Sequence, residues 1–383
     1  MKNWIVSILG VLLFGAAFAD EPPKSGKYWV FLGTYTGGKG GSKGIYRCEF
    51  DAADGSLSKP ELAAEVTNPT FLAIHPNGKL LYSVGETDQF NGKRGGSVHA
   101  FEIDSKTGAL RALNVQPSIG AGPCHIIVDP DGKNVLTANY GSGSVTVLPI
   151  KADGSLEASS CLIQHEGKSA NPQRQEGPHA HSVNFDPGHR FVVAADLGLD
   201  KVLVYRFDAA SGKLSPNDPP FLKLAGGSGP RHFAFHQTKP WAYVINELAC
   251  TINALHYTPE GKFEIVQKIS TIPGAVKPEY STAEVQVHKS GKFVYGSNRG
   301  QNSIACFQID QSNGKLNFIA RQGEGINVPR AFGIDPTGQF MLVANQDGHT
   351  VIGFKIDQDS GELKPIGVKI EVGSPVCVKF LAK

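Results

Sequence analysis

Much of what usually announces a protein's chemistry is missing from this chain. Long amphipathic helical periodicity is absent, which argues against a helical bundle and against alternating βα units. Neither sign of charge dominates: 37 Lys and Arg stand against 35 Asp and Glu, a formal net charge of +2. No basic tract and no interleaved basic–aromatic stripe is present, so nucleic acid is not an expected partner. Only six cysteines occur in 383 residues, and none has CxxC or metal-ligand spacing. The sequence has no GxSxG elbow, no phosphate-cradling P-loop, no dinucleotide fingerprint and no HExxH. An activated-serine hydrolase is therefore disfavoured, and neither a cofactor nor a metal is expected.

One long apolar run exists. Lys2 precedes an apolar stretch from Trp4 to Phe18, and Ala17-Phe18-Ala19 precedes Asp20. This is the pattern of a cleaved signal peptide, residues 1–19. Its apolar part is shorter than the roughly 20 residues of a membrane span. The mature chain is expected to be exported, periplasmic or secreted, with no lasting membrane anchor. A polar lead-in covers 20–27, and one domain covers 28–383. Export would permit disulfides. Cys48, Cys124, Cys306 and Cys377, however, fall within or beside strand patterns. The cysteines are read as mostly unpaired structural thiols.

What is present is a repeat. A short apolar strand, a turn and a second strand recur six times, as in FLAIHPNGK, HIIVDPDGK and SVNFDPGHR. The turns at Pro76, Pro130, Pro187, Gln237, Lys289 and Pro336 fall 47 to 57 residues apart. Short strands at a period near 50 indicate an all-β propeller. The C-terminal VGSPVCVKF supplies a first strand, and the N-terminal YWVFLGTY and GIYRCEFD supply the strands after it. Together they make one more blade, so seven four-stranded blades are expected, closed by pairing of the two ends. That closure removes open edges. Six blades with an N-terminal appendage is the other count. A monomer is expected.

Registering the repeats on their turns aligns two columns at the opposite face. Strand two ends at Thr34, Glu86, Tyr140, Leu197, Glu247, Arg299 and Gln346, usually after Asn or Asp. Strand one opens at Thr70, Cys124, His181, Arg231, Ala283, Arg330 and Val376, followed by residues that include His125, His232 and Glu284. The Asn/Asp column is uniform and reads as structural, satisfying groups at strand ends. The other columns are mixed and charged. Glu247, Arg299, Arg231, His181 and Arg330 should surround one funnel, either as a binding site or as a ring of ion pairs. His179 and His181 stand two apart and could point the same way, but two residues do not make a metal site. His75, His236 and His288 read as turn residues of the far face. The glycine-rich GTYTGGKGGSKG reads as a flexible loop near the channel mouth.

GPHAHSVNFDP, GPRHFAFH, VINEL, AEVQVH, SNRG, VPRAFGIDPTGQFMLVANQD and VFLGTYTGG occur in order along nearly the whole mature chain. In this it resembles the seven-bladed propeller lactonases, a family that includes the bacterial propeller-type 6-phosphogluconolactonase and is similar to the fungal carboxy-cis,cis-muconate lactonizing enzyme. The resemblance implies opening of an aldonolactone, with His181, Arg231, Glu247 and Arg299 as catalytic residues. Glu247 is then the expected base and His181 the alternative base or the acid. The arginines would orient an anionic lactone or sugar acid. Replacing Glu247 by Gln should lower turnover far more than stability. His179, His232, Arg330, Glu86 and Gln346 are the further substrate-binding candidates. A non-catalytic exported propeller and a muconate-type cycloisomerase are the alternatives.

Overall fold

A computed structural model of the chain describes residues 26–383. The expected signal peptide, 1–19, and most of the expected polar lead-in lie outside the described residues. No helix occurs among the described residues. The strands form seven antiparallel blade sheets, plus a small hairpin of Gln89–Phe90 and Lys93–Arg94. The seven innermost strands are Leu72–Ile74, Pro123–Val128, Ala180–Phe185, Pro230–Phe235, Ser281–Val287, Pro329–Ile334 and Pro375–Ala382. Each adjoins the innermost strand of the next blade, and Pro375–Ala382 adjoins both Pro329–Ile334 and Leu72–Ile74. The ring is therefore closed. In the closing blade, the C-terminal strand pairs antiparallel with Lys27–Thr34, Val30 opposite Phe380. Lys27–Thr34 in turn pairs with Gly44–Asp51.

Alternation explains the core. Apolar residues of one blade's sheet pack on those of its neighbour, as Tyr243 and Ile245 do against Val294 and Phe307. The far-face turns are tied between blades. His75, His236 and His288 each place Nε2 about 3 Å from the carbonyl of a turn glycine one blade on: Gly132, Gly291 and Gly338. The Asn/Asp column is wholly buried at Asn139, Asp196, Asn246, Asn298 and Asn345. Asn246 donates to Thr251 and Asn253, and Asn345 donates to Thr350 and the Gly325 carbonyl. All six cysteines are free, and five are buried.

One regularity decides where the functional side chains point. In six blades the ladder between the first two strands slips near its start. The slips fall between Pro123 and His125, Ala180 and Ser182, Pro230 and His232, Thr282 and Val285, Pro329 and Ala331, and Pro375 and Cys377. The residues left out of register are Cys124, His181, Arg231, Ala283 with Glu284, Arg330 and Val376. A β-bulge inserts a residue without a partner and re-aims its side chain. The same device, repeated around the ring, aims these groups at the channel.

Candidate active site

Glu247 directly follows the strand Trp241–Asn246, and its carboxylate is enclosed by guanidinium groups. Oε2 accepts from Arg231 Nε at 2.9 Å and lies 2.9 Å from Arg299 Nη2, while Oε1 accepts from Arg174 Nη2 at 2.7 Å. Arg231 also donates to the Ala283 carbonyl and Arg299 to that of Thr282. Each guanidinium is thus held from two blades at once. Burial alone would raise the Glu247 pKa, but Arg299, Arg231 and Arg174 override it and hold the carboxyl well below the usual range. A carboxylate so stabilised is a poor proton acceptor. The geometry makes Glu247 the shared partner of three arginines, which weighs against the role of base expected of it.

Arg174 has no counterpart in the repeat. It lies on the 165–179 connection, the longest between consecutive blades. That segment is pinned by Gln175, which is fully buried and donates to the Leu197 carbonyl. Arg174 also donates to the Tyr140 hydroxyl at 3.2 Å. Length alone marked the segment in the sequence.

Arg330 is the exception among the site's arginines. Among the described residues it has no hydrogen bond and no ion pair. Its guanidinium lies over the Tyr35 ring, 5.3 Å from the centroid. Burial would lower its pKa, yet Tyr35, Glu86 and Glu247 more than offset that. Val328, two residues before it, holds a positive φ of 50°, strained for a β-branched residue. Glu86 lines the same side, accepting from the Tyr35 hydroxyl at 2.9 Å and from Thr70. Four guanidiniums thus face two carboxylates, and the funnel carries an excess of positive charge. Beside its rim, under the glycine-rich loop, opens a cavity of about 560 Å³ lined by Tyr35, Lys39, Asn68, Gln346 and His349. Gln346 lies in this side cavity, donating to Asp347.

His181 is buried at the base of the funnel, 3.6 Å from the Cys124 sulfur and with its ring 5.4 Å from that of Tyr140. Desolvation, then Arg231, His232 and Arg330, push its pKa well below the usual value, so the imidazole is neutral. Two candidates are relocated. His179 is held at both nitrogens, Nδ1 by the Tyr140 carbonyl at 3.0 Å and Nε2 by Glu176 at 3.1 Å, and it stacks on the Tyr140 ring. It braces Tyr140 and has no nitrogen left for a substrate. His232 lies deeper in the channel, with Nδ1 3.1 Å from Glu284 Oε1, and lines a cavity on the far side.

These burials predict an acid response. Desolvation pushes His125, His181 and His232 well below their ordinary value. Below about pH 6.5 the unfolded chain binds these three protons and the folded chain does not. Glu284, pushed up to about 7 by burial, works the other way, because the folded state keeps its proton. His99, pushed down to about 4 by burial, adds a fourth such histidine. Three net protons from these groups therefore favour the unfolded chain between about pH 5 and 6.5, and stability should fall on acidification by roughly 3–4 kcal/mol per pH unit there. Urea unfolding at a series of pH values checks this; a flat profile would contradict it.

The whole described ring matches one known family model, "Lactonase, 7-bladed beta-propeller", over residues 29–380. A curated 6-phosphogluconolactonase of Bacillus subtilis is 41% identical over 93% of this chain and 99% of its own. One of Formosa agariphila is 33% identical over 80% and 86%. Among solved structures, a periplasmic gluconolactonase of Pseudomonas aeruginosa superposes with a TM-score of 0.87 at 32% identity, covering 93% of this chain and 99% of that one.

Proposed function

Because the chain belongs to the seven-bladed β-propeller lactonases, we propose that it hydrolyses an anionic aldonolactone of the 6-phosphogluconolactone type to the open sugar acid. The enzyme class follows from the family; the substrate's charge rests on one observation, the unpaired Arg330 in a funnel with surplus positive charge. A half-buried cation without an anionic partner is costly, and an anionic ligand removes that cost. The substrate's charged tail would lie between Arg330 and the cavity under the glycine-rich loop, with the lactone carbonyl toward Arg231 and Arg299. Arg299 Nε has no acceptor among the described residues and is available for the developing oxyanion. Water adds to the carbonyl carbon as His181 takes its proton. The ring C–O bond then breaks, and the same proton passes to the leaving ring oxygen. Glu247 keeps the arginines charged and placed throughout. Export, read from the N-terminal pattern, would put this reaction outside the cytoplasm, in keeping with the periplasmic gluconolactonase it resembles.

Acid release from 6-phosphogluconolactone and from glucono-δ-lactone tests the proposal. Turnover of the phosphorylated lactone should exceed the spontaneous rate. In Arg330→Met, KM for it should rise at least tenfold more than KM for the neutral lactone. Equal effects on both would remove Arg330 as the anion receptor, and no turnover of either would remove the substrate class.

A further inference from the structure

The channel has a second mouth, on the turn face, and we propose that it is a separate binding site for a small carboxylic acid with a hydrocarbon body. A cavity of about 480 Å³ opens there, within the usual size of small-molecule sites. Its wall is mixed: Phe185, Phe235 and Val287 are partly exposed to it, beside Asn184 and Gln286. Its inner end is polar and unevenly satisfied. Glu284 Oε1 faces His232 Nδ1 and accepts from the Val285 amide at 3.0 Å, but Oε2 has no partner among the described residues. Lys379 lies with its ammonium 4.6 Å from the centroid of the Phe71 ring and has no carboxylate or carbonyl partner among the described residues.

Closely packed rings divide this cavity from the funnel. Phe71 and His125 lie 4.2 Å apart, His125 and His232 5.2 Å, and His181 and His232 5.4 Å between centroids. A ligand at one mouth does not occupy the other.

The head-group chemistry follows from the polar end. An amine would meet the Lys379 ammonium. A carboxylate would pair with it and accept a hydrogen bond from Glu284 in its acid form. Burial favours that form, raising the carboxyl to about 7 against the pull of Lys379, Arg231 and the Val285 amide. The other groups facing Glu284 do not titrate between pH 6 and 8. His232 and His125 are pushed well below that range, and burial raises the Cys377 thiol to about 11. The hydrocarbon body would lie along Phe185, Phe235 and Val287, toward the mouth.

Sodium benzoate is the probe, titrated into the full chain by calorimetry at pH 6 and pH 8. Benzoate is ionised at both, so binding at least fivefold tighter at pH 6 than at pH 8, with a proton taken up on binding at pH 8, reports Glu284. Lys379→Met should weaken binding at least tenfold while lactone turnover is unchanged. Glu284→Gln should retain binding and lose its pH dependence. The site is overturned by an absence of binding heat, by binding that survives Lys379→Met but is lost in Arg330→Met, or by a pH dependence that persists in Glu284→Gln. Competition of benzoate with the lactone would likewise place it in the funnel. These readings stand whether or not the proposed lactone is the substrate, because binding is measured without it.

Discussion

Glu247→Gln is expected to lose both activity and stability. The substitution keeps the shape and removes the charge that neutralises three guanidiniums, with 2.7–2.9 Å contacts to Arg174, Arg231 and Arg299. Removing one partner of a buried ion pair costs about 3–5 kcal/mol, because the charge left behind is buried and unpaired. Here three are left, two of them largely enclosed. Turnover should fall at least 100-fold, because the arginines that face the carbonyl lose their common anchor; removing one oxyanion donor alone costs about 10²–10³. Urea unfolding and steady-state kinetics on one preparation measure both. A further change, Arg174→Met, should restore part of the lost stability by removing one excess cation, while activity stays low. If Glu247→Gln lost turnover at unchanged stability, Glu247 would be the base after all, and the anchor reading would fail.

His181→Gln should show the opposite division. His181 is neutral, buried and without an ion pair, so no charge is orphaned by its removal. Loss of a positioned general base typically costs 10²–10⁴ in rate. A decrease of that size in kcat, with KM within a few-fold of the parent and stability lowered by only about 1–2 kcal/mol, is the expected result. Since the imidazole is already deprotonated well below pH 6.5, kcat should be level from pH 6 to 8. A kcat within tenfold of the parent would move the proton transfer to another group.

These two side chains also show where sequence reasoning reached and where it stopped. The repeat gave a register, and the register placed His181, Arg231, Glu247, Arg299 and Arg330 around one opening before any coordinates. The seven blades and their closure followed from the same count. What escaped was everything outside the repeat. Arg174 arrives on an irregular connection, so no alignment of blades could bring it to Glu247. With only two guanidiniums in view, the carboxylate reads as an ionised base of low basicity. The bulges escaped too. A single extra residue hardly disturbs an alternating pattern, yet it decides that His181 faces the funnel while His232, one blade on and one position later, goes to the waist of the channel. His179 fits the alternation with His181, and only the positions of Glu176 and the Tyr140 carbonyl show that its nitrogens are taken.

The pairing of Pro375–Ala382 with Lys27–Thr34 has a consequence in time as well as in space. Ribosomes make the N-terminal strand first and its inner partner last. Until synthesis is nearly complete, the ring has a gap one strand wide, facing the channel where the site is assembled. The growing chain therefore has no finished native state to fall into. The export proposed above would thread the chain through a membrane pore, a passage that benefits from this delay, because the ring acquires its barrier to unravelling only once Pro375–Ala382 has paired.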